Sequence, residues 1–194
     1  VTTPDIDAER AVVEIAITLA NSGIGTQSVT ASSQIRNADG IVVAAGTSPV
    51  TLRAGATAVA RHRLYVTEPS LWSVEEPALY TAQVRVSNDG ETLDERATNF
   101  GIRSLKLDPI HGLRINGQTV KLRGACIHHD NGMLGAATIG RAEERRIEIL
   151  KAAGFNAIRS SHNPISQAML DACDRLGMLV MDETFDVWTE GKSS

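Results

Sequence analysis

Residues 155–183 read FNAIRSSHNPISQAMLDACDRLGMLVMDE. The spacing of their apolar residues decides how the C-terminal part of the chain folds. Phe155–Ser160 is a short strand. Pro164 then precedes Ser166, a hydroxyl residue suited to a helix N-cap. Met169, Ala172, Cys173 and Leu176 fall on one helical face, and Gly177 stops the helix. Met178–Met181 is an uninterrupted apolar strand that runs into Asp182 and Glu183. Working outward, Ala142–Ala153 carries Ile147 and Leu150 three apart with charges between them and stops at Gly154, which predicts a second amphipathic helix. Before it, Leu113–Ile115, the Asn116-Gly117 turn and Thr119–Leu122 read as a tight hairpin, followed by a strand through Arg123–Ile127. Strand, helix, strand, helix, strand is a βαβαβ order, and that order implies a parallel sheet. Its strands should be buried on both faces.

Residues 1 to about 105 obey a different period. Val13, Ile15, Ile17 and Leu19 alternate with Glu14, Ala16 and Thr18, the mark of a strand with one buried face. Val29, Ala31, Ser33 and Ile35 repeat the pattern more weakly. Asp39-Gly40 precedes the apolar run Ile41–Ala45, and Arg53-Ala54-Gly55 turns the chain again. Ala60, His62, Leu64 and Val66 share one side of a further strand. Tyr80, Ala82, Val84 and Val86 form another, closed by Asn88-Asp89-Gly90. About seven strands with regular turns predict an antiparallel β-sandwich, with Trp72 and Tyr80 in its core.

The composition is that of a folded chain: 42% hydrophobic and 22% charged residues in 194,. The formal net charge of −4, with no basic run, argues against nucleic-acid binding,. No stretch approaches ~18 consecutive apolar residues, so no helical membrane span is expected. The opening VTTPDIDAER carries no charged-then-apolar leader,. Two cysteines 47 positions apart, Cys126 and Cys173, make neither a disulfide framework nor a zinc site,. Both read as small buried hydrophobes.

Three motifs carry a resemblance. NAIRSSHNP (156–164), the helix ending CDRLG (173–177) and MLVMDE (178–183) together resemble the signature region of glycoside hydrolase family 2, which contains β-galactosidases, β-glucuronidases and β-mannosidases. INGQTVKLRGACIHHD (115–130) resembles that family's entry into its (β/α)8 barrel. LWSVEEPALY (71–80) and FGIRSL (100–105) resemble the closing strands of its immunoglobulin-like domain. The first 70 residues match only in their sandwich pattern.

The resemblance implies an immunoglobulin-like β-sandwich over 1–105, then the N-terminal part of a TIM-barrel catalytic domain over 106–194. The boundary is expected between Arg103 and Ile110, where Asp108-Pro109 breaks the backbone pattern. A (β/α)8 barrel takes ~250 residues, and the residues after Leu105 supply three strands of eight. The resemblance places the general-acid glutamate after the fourth strand and the nucleophilic glutamate after the seventh. Retaining glycosidases need both carboxylates ~5 Å apart across one bond. No catalytic residue is therefore expected within 1–194, and the chain reads as an internal, inactive piece of a larger retaining, β-galactosidase-like hydrolase. The competing reading is a non-catalytic carbohydrate-binding or adhesion sandwich.

Candidate binding residues follow from position and chemistry. His162 lies just past a strand end, where barrels of this type build their active sites. A neutral imidazole there can donate to and accept from sugar hydroxyls, or it can cap the turn beside Pro164. The resemblance implies that it contacts the sugar. It also sets His128 at the rim of the sugar site, ahead of His129 and Asp130. Those three invite a metal reading, but no further histidine cluster sits nearby, so no metal or cofactor is expected.

Arg159, in a parallel strand, needs a partner; it either orients the nucleophile or forms a structural salt bridge. Asp182 and Glu183 look like a glycosidase pair, yet neighbours on a strand point to opposite faces, which leaves them supporting roles. Asn163 stands where the family more often has tyrosine. Trp188 offers a ring face on which a sugar can stack. The expected partner is a β-glycoside. The unpaired edges of a three-stranded barrel piece also predict self-association.

Overall fold

The computed structural model describes residues 1–7 and 9–184. The described residues form two compact units. One comprises Val1–Leu71 with Ala78–Lys106, the other Trp72–Pro77 with Leu107 onward.

The first unit is the expected sandwich. Its strands are β1 (Thr2–Ile6), β2 (Arg10–Ala20), β3 (Gln27–Arg36), β4 (Val42–Leu52), β5 (Thr57–Thr67), β6 (Tyr80–Asn88) and β7 (Glu91–Phe100). They make a three-stranded sheet in the order β1-β2-β5 and a four-stranded sheet in the order β4-β3-β6-β7. β2 and β5 pair antiparallel without a break, from Arg10 opposite Thr67 to Ala20 opposite Thr57.

The alternation in sequence is the alternation in burial. Ala11, Val13, Ile15, Ile17 and Leu19 of β2 close on Val29, Ala31 and Ile35 of β3 and on Leu64 and Val66 of β5. His62 sits in this core at 6% exposure. Its Nδ1 lies 2.6 Å from Ser33 Oγ and its Nε2 lies 3.0 Å from Ser48 Oγ, so one imidazole joins β5 to the other sheet. Burial lowers its pKa from the usual histidine value.

β7 had no apolar alternation to announce it: every residue from Glu91 to Asn99 is exposed. It forms because Asp89 and Gly90 take positive φ, closing a tight turn that returns the chain along β6. Polar pairs across the ladder hold it, including Gln83 Nε2 to Glu95 Oε1 at 2.6 Å and Arg85 Nε to Glu95 Oε2 at 2.9 Å.

β8 (Leu105–Asp108), β9 (Gly112–Ile115) and β10 (Gln118–Thr119) form a small sheet. Asn116 and Gly117, both at positive φ, make its hairpin turn.

The second unit is built on β11 (Gly124–Ile127), β12 (Ala157–Ser160) and β13 (Leu179–Met181), with α1 (Gly140–Ala152) and α2 (Gln167–Leu176) between them. The strands pair in parallel, Cys126 beside Arg159 and Arg159 beside Met181. Ser166 caps α2, its hydroxyl accepting from Met169 N at 3.2 Å. Ile147 of α1 and Met169, Ala172 and Cys173 of α2 pack on Ile158, with Ile127 and Val180 beside them. This is the opening of a (β/α)8 barrel: three parallel strands with the helices over one face.

Three expectations need correction. The parallel strands are not buried on both faces. Cys126 and Arg159 are exposed and Met181 is 61% exposed, because both helices cover the opposite side. Cys126 is accordingly not a buried hydrophobe, whereas Cys173 is: it is 1% exposed, and burial pushes its thiol up to about 12. Trp72 is buried, but not in the sandwich core. Its Nε1 donates to the carbonyl of Asp174 at 2.8 Å, and its own carbonyl accepts from Asn116 Nδ2 at 3.0 Å. The same segment explains Gly177. A Cβ there would come within 2.2 Å of the Val74 carbonyl oxygen, and its φ is +72°.

Candidate functional site

The chemistry collects at the C-terminal ends of the three parallel strands. Arg159 lies in β12 and its side chain is 45% exposed. Two residues past the strand, His162 adopts φ +78°, a left-handed backbone that costs a non-glycine residue on the order of 1 kcal/mol or more,. Glu183, just beyond β13, meets both. One carboxylate oxygen pairs with the Arg159 guanidinium, and the other accepts the backbone N–H of His162 and lies 3.7 Å from its Nδ1. The N–H of His162 and the charge of Arg159 hold the Glu183 carboxyl below the usual carboxylate range. The second Arg159 terminal nitrogen lies 3.5 Å from Cys126 Sγ, and Arg159 is pushed up by that thiol and by Glu183.

His128 follows β11 directly, and its ring centroid lies 5.3 Å from that of His162 at a 53° tilt. The two imidazoles thus stand together beside an ionised Arg–Glu pair. Such a site presents donors and acceptors to a polyhydroxylated ligand.

The other candidates divide. Asp182 turns away from Glu183: its Oδ1 accepts the N–H of Ile165 at 3.1 Å. The adjacent carboxylates serve different partners and do not face each other. The carbonyl of Asn163 accepts from Ser160 Oγ, and its exposed side chain joins none of these contacts. His129 reaches across to the carbonyl of Pro164, with Nε2 at 3.1 Å. Trp188 lies outside the described residues. Among the described residues, no group of three or more His, Cys, Asp or Glu side chains is placed to hold a metal.

Sequence reading missed Glu143. It is 2% exposed, and it accepts from Asn131 Nδ2 at 2.9 Å and from Ser166 Oγ at 3.1 Å. The signal was present. Glu143, Ile147 and Leu150 fall at helical spacing, so the glutamate lies on the apolar face,. It was hidden among the charges of RAEERRIE.

The relatives agree with this architecture. A β-galactosidase of Bacteroides ovatus is 42% identical over all 194 residues, which correspond to 23% of its own length. A crystal structure of a glycosyl hydrolase family 2 member from Bacteroides cellulosilyticus superposes with a TM-score of 0.93 at 46% identity, covering 96% of this chain and 26% of that one. The crystal structure of a Bacteroides uniformis β-glucuronidase gives 0.88 at 30% identity, covering 94% and 22%. The chain thus spans about a quarter of the length of the relatives it matches. The family model for glycosyl hydrolases family 2 matches residues 1–103 and that for the family's TIM barrel domain matches 110–192, so the chain belongs to glycoside hydrolase family 2.

Proposed function

We propose that this chain supplies part of the sugar-binding floor of a β-galactosidase-like, retaining glycosidase. In this reading the sandwich takes 1–105 and the barrel part 106–194, whose strands β11, β12 and β13 present the site. One observation carries the reading. A single carboxylate, Glu183, holds Arg159 and the strained backbone of His162 at the strand ends, beside the ring of His128. His162 and His128 would bond sugar hydroxyls, and Trp188 would offer a stacking face. Arg159 and Glu183 would orient these groups, with Asp182 and the Asn163 backbone shaping the turn. Galactose is the sugar of choice because the Bacteroides ovatus relative named as a β-galactosidase is 42% identical along the whole chain.

In this reading the general acid and the nucleophile belong to parts of the barrel outside the chain. Glu183 is already engaged by a cation and a backbone N–H, which stabilise its charged form and leave it a poor proton donor. The 194-residue chain should not hydrolyse nitrophenyl β-galactoside. Turnover that disappears in Glu183→Gln would make Glu183 catalytic and overturn the assignment. The edges of β11 and β13, unpaired among the described residues, should also draw copies together,. Light scattering at low micromolar concentration should give a mass above the monomer, and a clean monomer would contradict this.

A further inference from the structure

Glu143 is a buried carboxylate, 2% exposed, one turn before Ile147 on α1. Burial of a charge is costly unless both oxygens find partners, and here both do. Oε1 accepts from Asn131 Nδ2 at 2.9 Å and from an Arg146 terminal nitrogen at 3.4 Å; Oε2 accepts from Ser166 Oγ at 3.1 Å. Each partner is itself tied to a loop. Asn131 Nδ2 also donates to the carbonyl of Ala137 at 3.1 Å, closing the loop that follows β11. The other Arg146 terminal nitrogen donates to the backbone carbonyl of His128 at 2.8 Å. Ser166 is the N-cap of α2, where the loop after β12 ends. His129 Nε2, near the carbonyl of Pro164, crosses the same gap. One side chain on α1 therefore grips the loop bearing His128 directly and through Arg146. It grips the loop bearing His162 through Ser166.

We propose that Glu143 is a positioning residue that locks the loops after β11 and β12 against each other and so sets the separation of the His128 and His162 rings. The proposal rests on reading that pair as sugar-facing. A residue needed only for packing would act differently, since an ionic group at such a site adds little stability over an apolar one of similar volume.

The test is two-dimensional NMR of the 194-residue chain at a temperature well below its melting transition, comparing wild type with Glu143→Ala, Glu143→Gln and Asn131→Ala. In Glu143→Ala the contact between the His128 and His162 rings should be lost and the amide signals of 128–131 and 163–166 should shift, while the methyl signals of Ile147 and Ile158 stay in place. Glu143→Gln, which keeps one acceptor oxygen, should recover part of the ring contact. Asn131→Ala should shift the loop after β11 and leave the α2 N-terminus unchanged. It carries the test should Glu143→Ala fail to fold. Variants that melt lower yet keep the ring contact and both sets of loop signals would overturn the proposal. Galactose titration of the wild type reads out separately: unmoved histidine rings there would count against the sugar site and leave the positioning result standing.

Discussion

The two units treat their apolar faces differently. In the sandwich, each sheet covers the other, and Ala11, Val13, Ala31 and Ile35 reach 0% exposure. In the barrel unit, α1 and α2 cover one face of β11-β12-β13. The other face carries Cys126, Arg159 and the 61%-exposed Met181. The contrast separates two jobs. The sandwich spends its alternation on a closed core that also takes in His62, bonded on both nitrogens. The barrel strands leave the face away from the helices open, and Arg159 on it reaches Glu183 near the strand ends, where Glu183 also meets His162.

The largest expected effect probes the closed core. Ile35→Ala, at a fully buried site, should destabilise the sandwich by about 2–5 kcal/mol. Met181→Ala, on the open face, should stay within about 0.5 kcal/mol. Chemical denaturation of both variants measures the gap. Comparable losses would mean that the open face is covered after all, and the contrast would fall.

A smaller effect sharpens the same comparison through pH. His62 has its pKa lowered by burial, so the native state favours the neutral ring. The unfolded chain takes up that proton first as pH falls below about 6.5, so the His62 contribution is complete above that value and is lost as pH drops toward the folded pKa. Thermal melts between pH 7.5 and 5 should show falling stability of the sandwich, with a flatter profile in His62→Gln. The carboxylates whose pKa is lowered, Asp7 and Glu95 in the sandwich, act in a more acidic window. An equal slope in His62→Gln would remove the imidazole from the account.

Much of the fold was legible because period and punctuation agreed. Val13 to Leu19 announced β2, and Ser166 and Gly177 bracketed α2 to within a residue. β7 was not legible, since its pairing comes from the turn before it and not from its own side chains. Trp72 was assigned by sequence neighbourhood to the sandwich. Its indole is bonded to Asp174, 102 positions away, and no local pattern encodes such a contact. At the candidate site, His162, Arg159 and His128 stood out because they sit at or just past strand ends. The link among them was not, because Glu183 is 21 positions from His162 and its role depends on parallel register. Glu143 was hidden among charged neighbours such as Arg141 and Arg145, which are exposed.

The central claim is that this chain carries sugar-binding groups and that other barrel segments carry the catalytic ones. Its most direct test replaces the matching quarter of the Bacteroides ovatus β-galactosidase with residues 1–194 and measures nitrophenyl β-galactoside hydrolysis, with and without His162→Ala. The account predicts an active chimera whose kcat/KM falls about 10²–10³-fold on loss of the imidazole, comparable to removing one preorganised donor. A folded, active chimera in which His162→Ala changes nothing would contradict it.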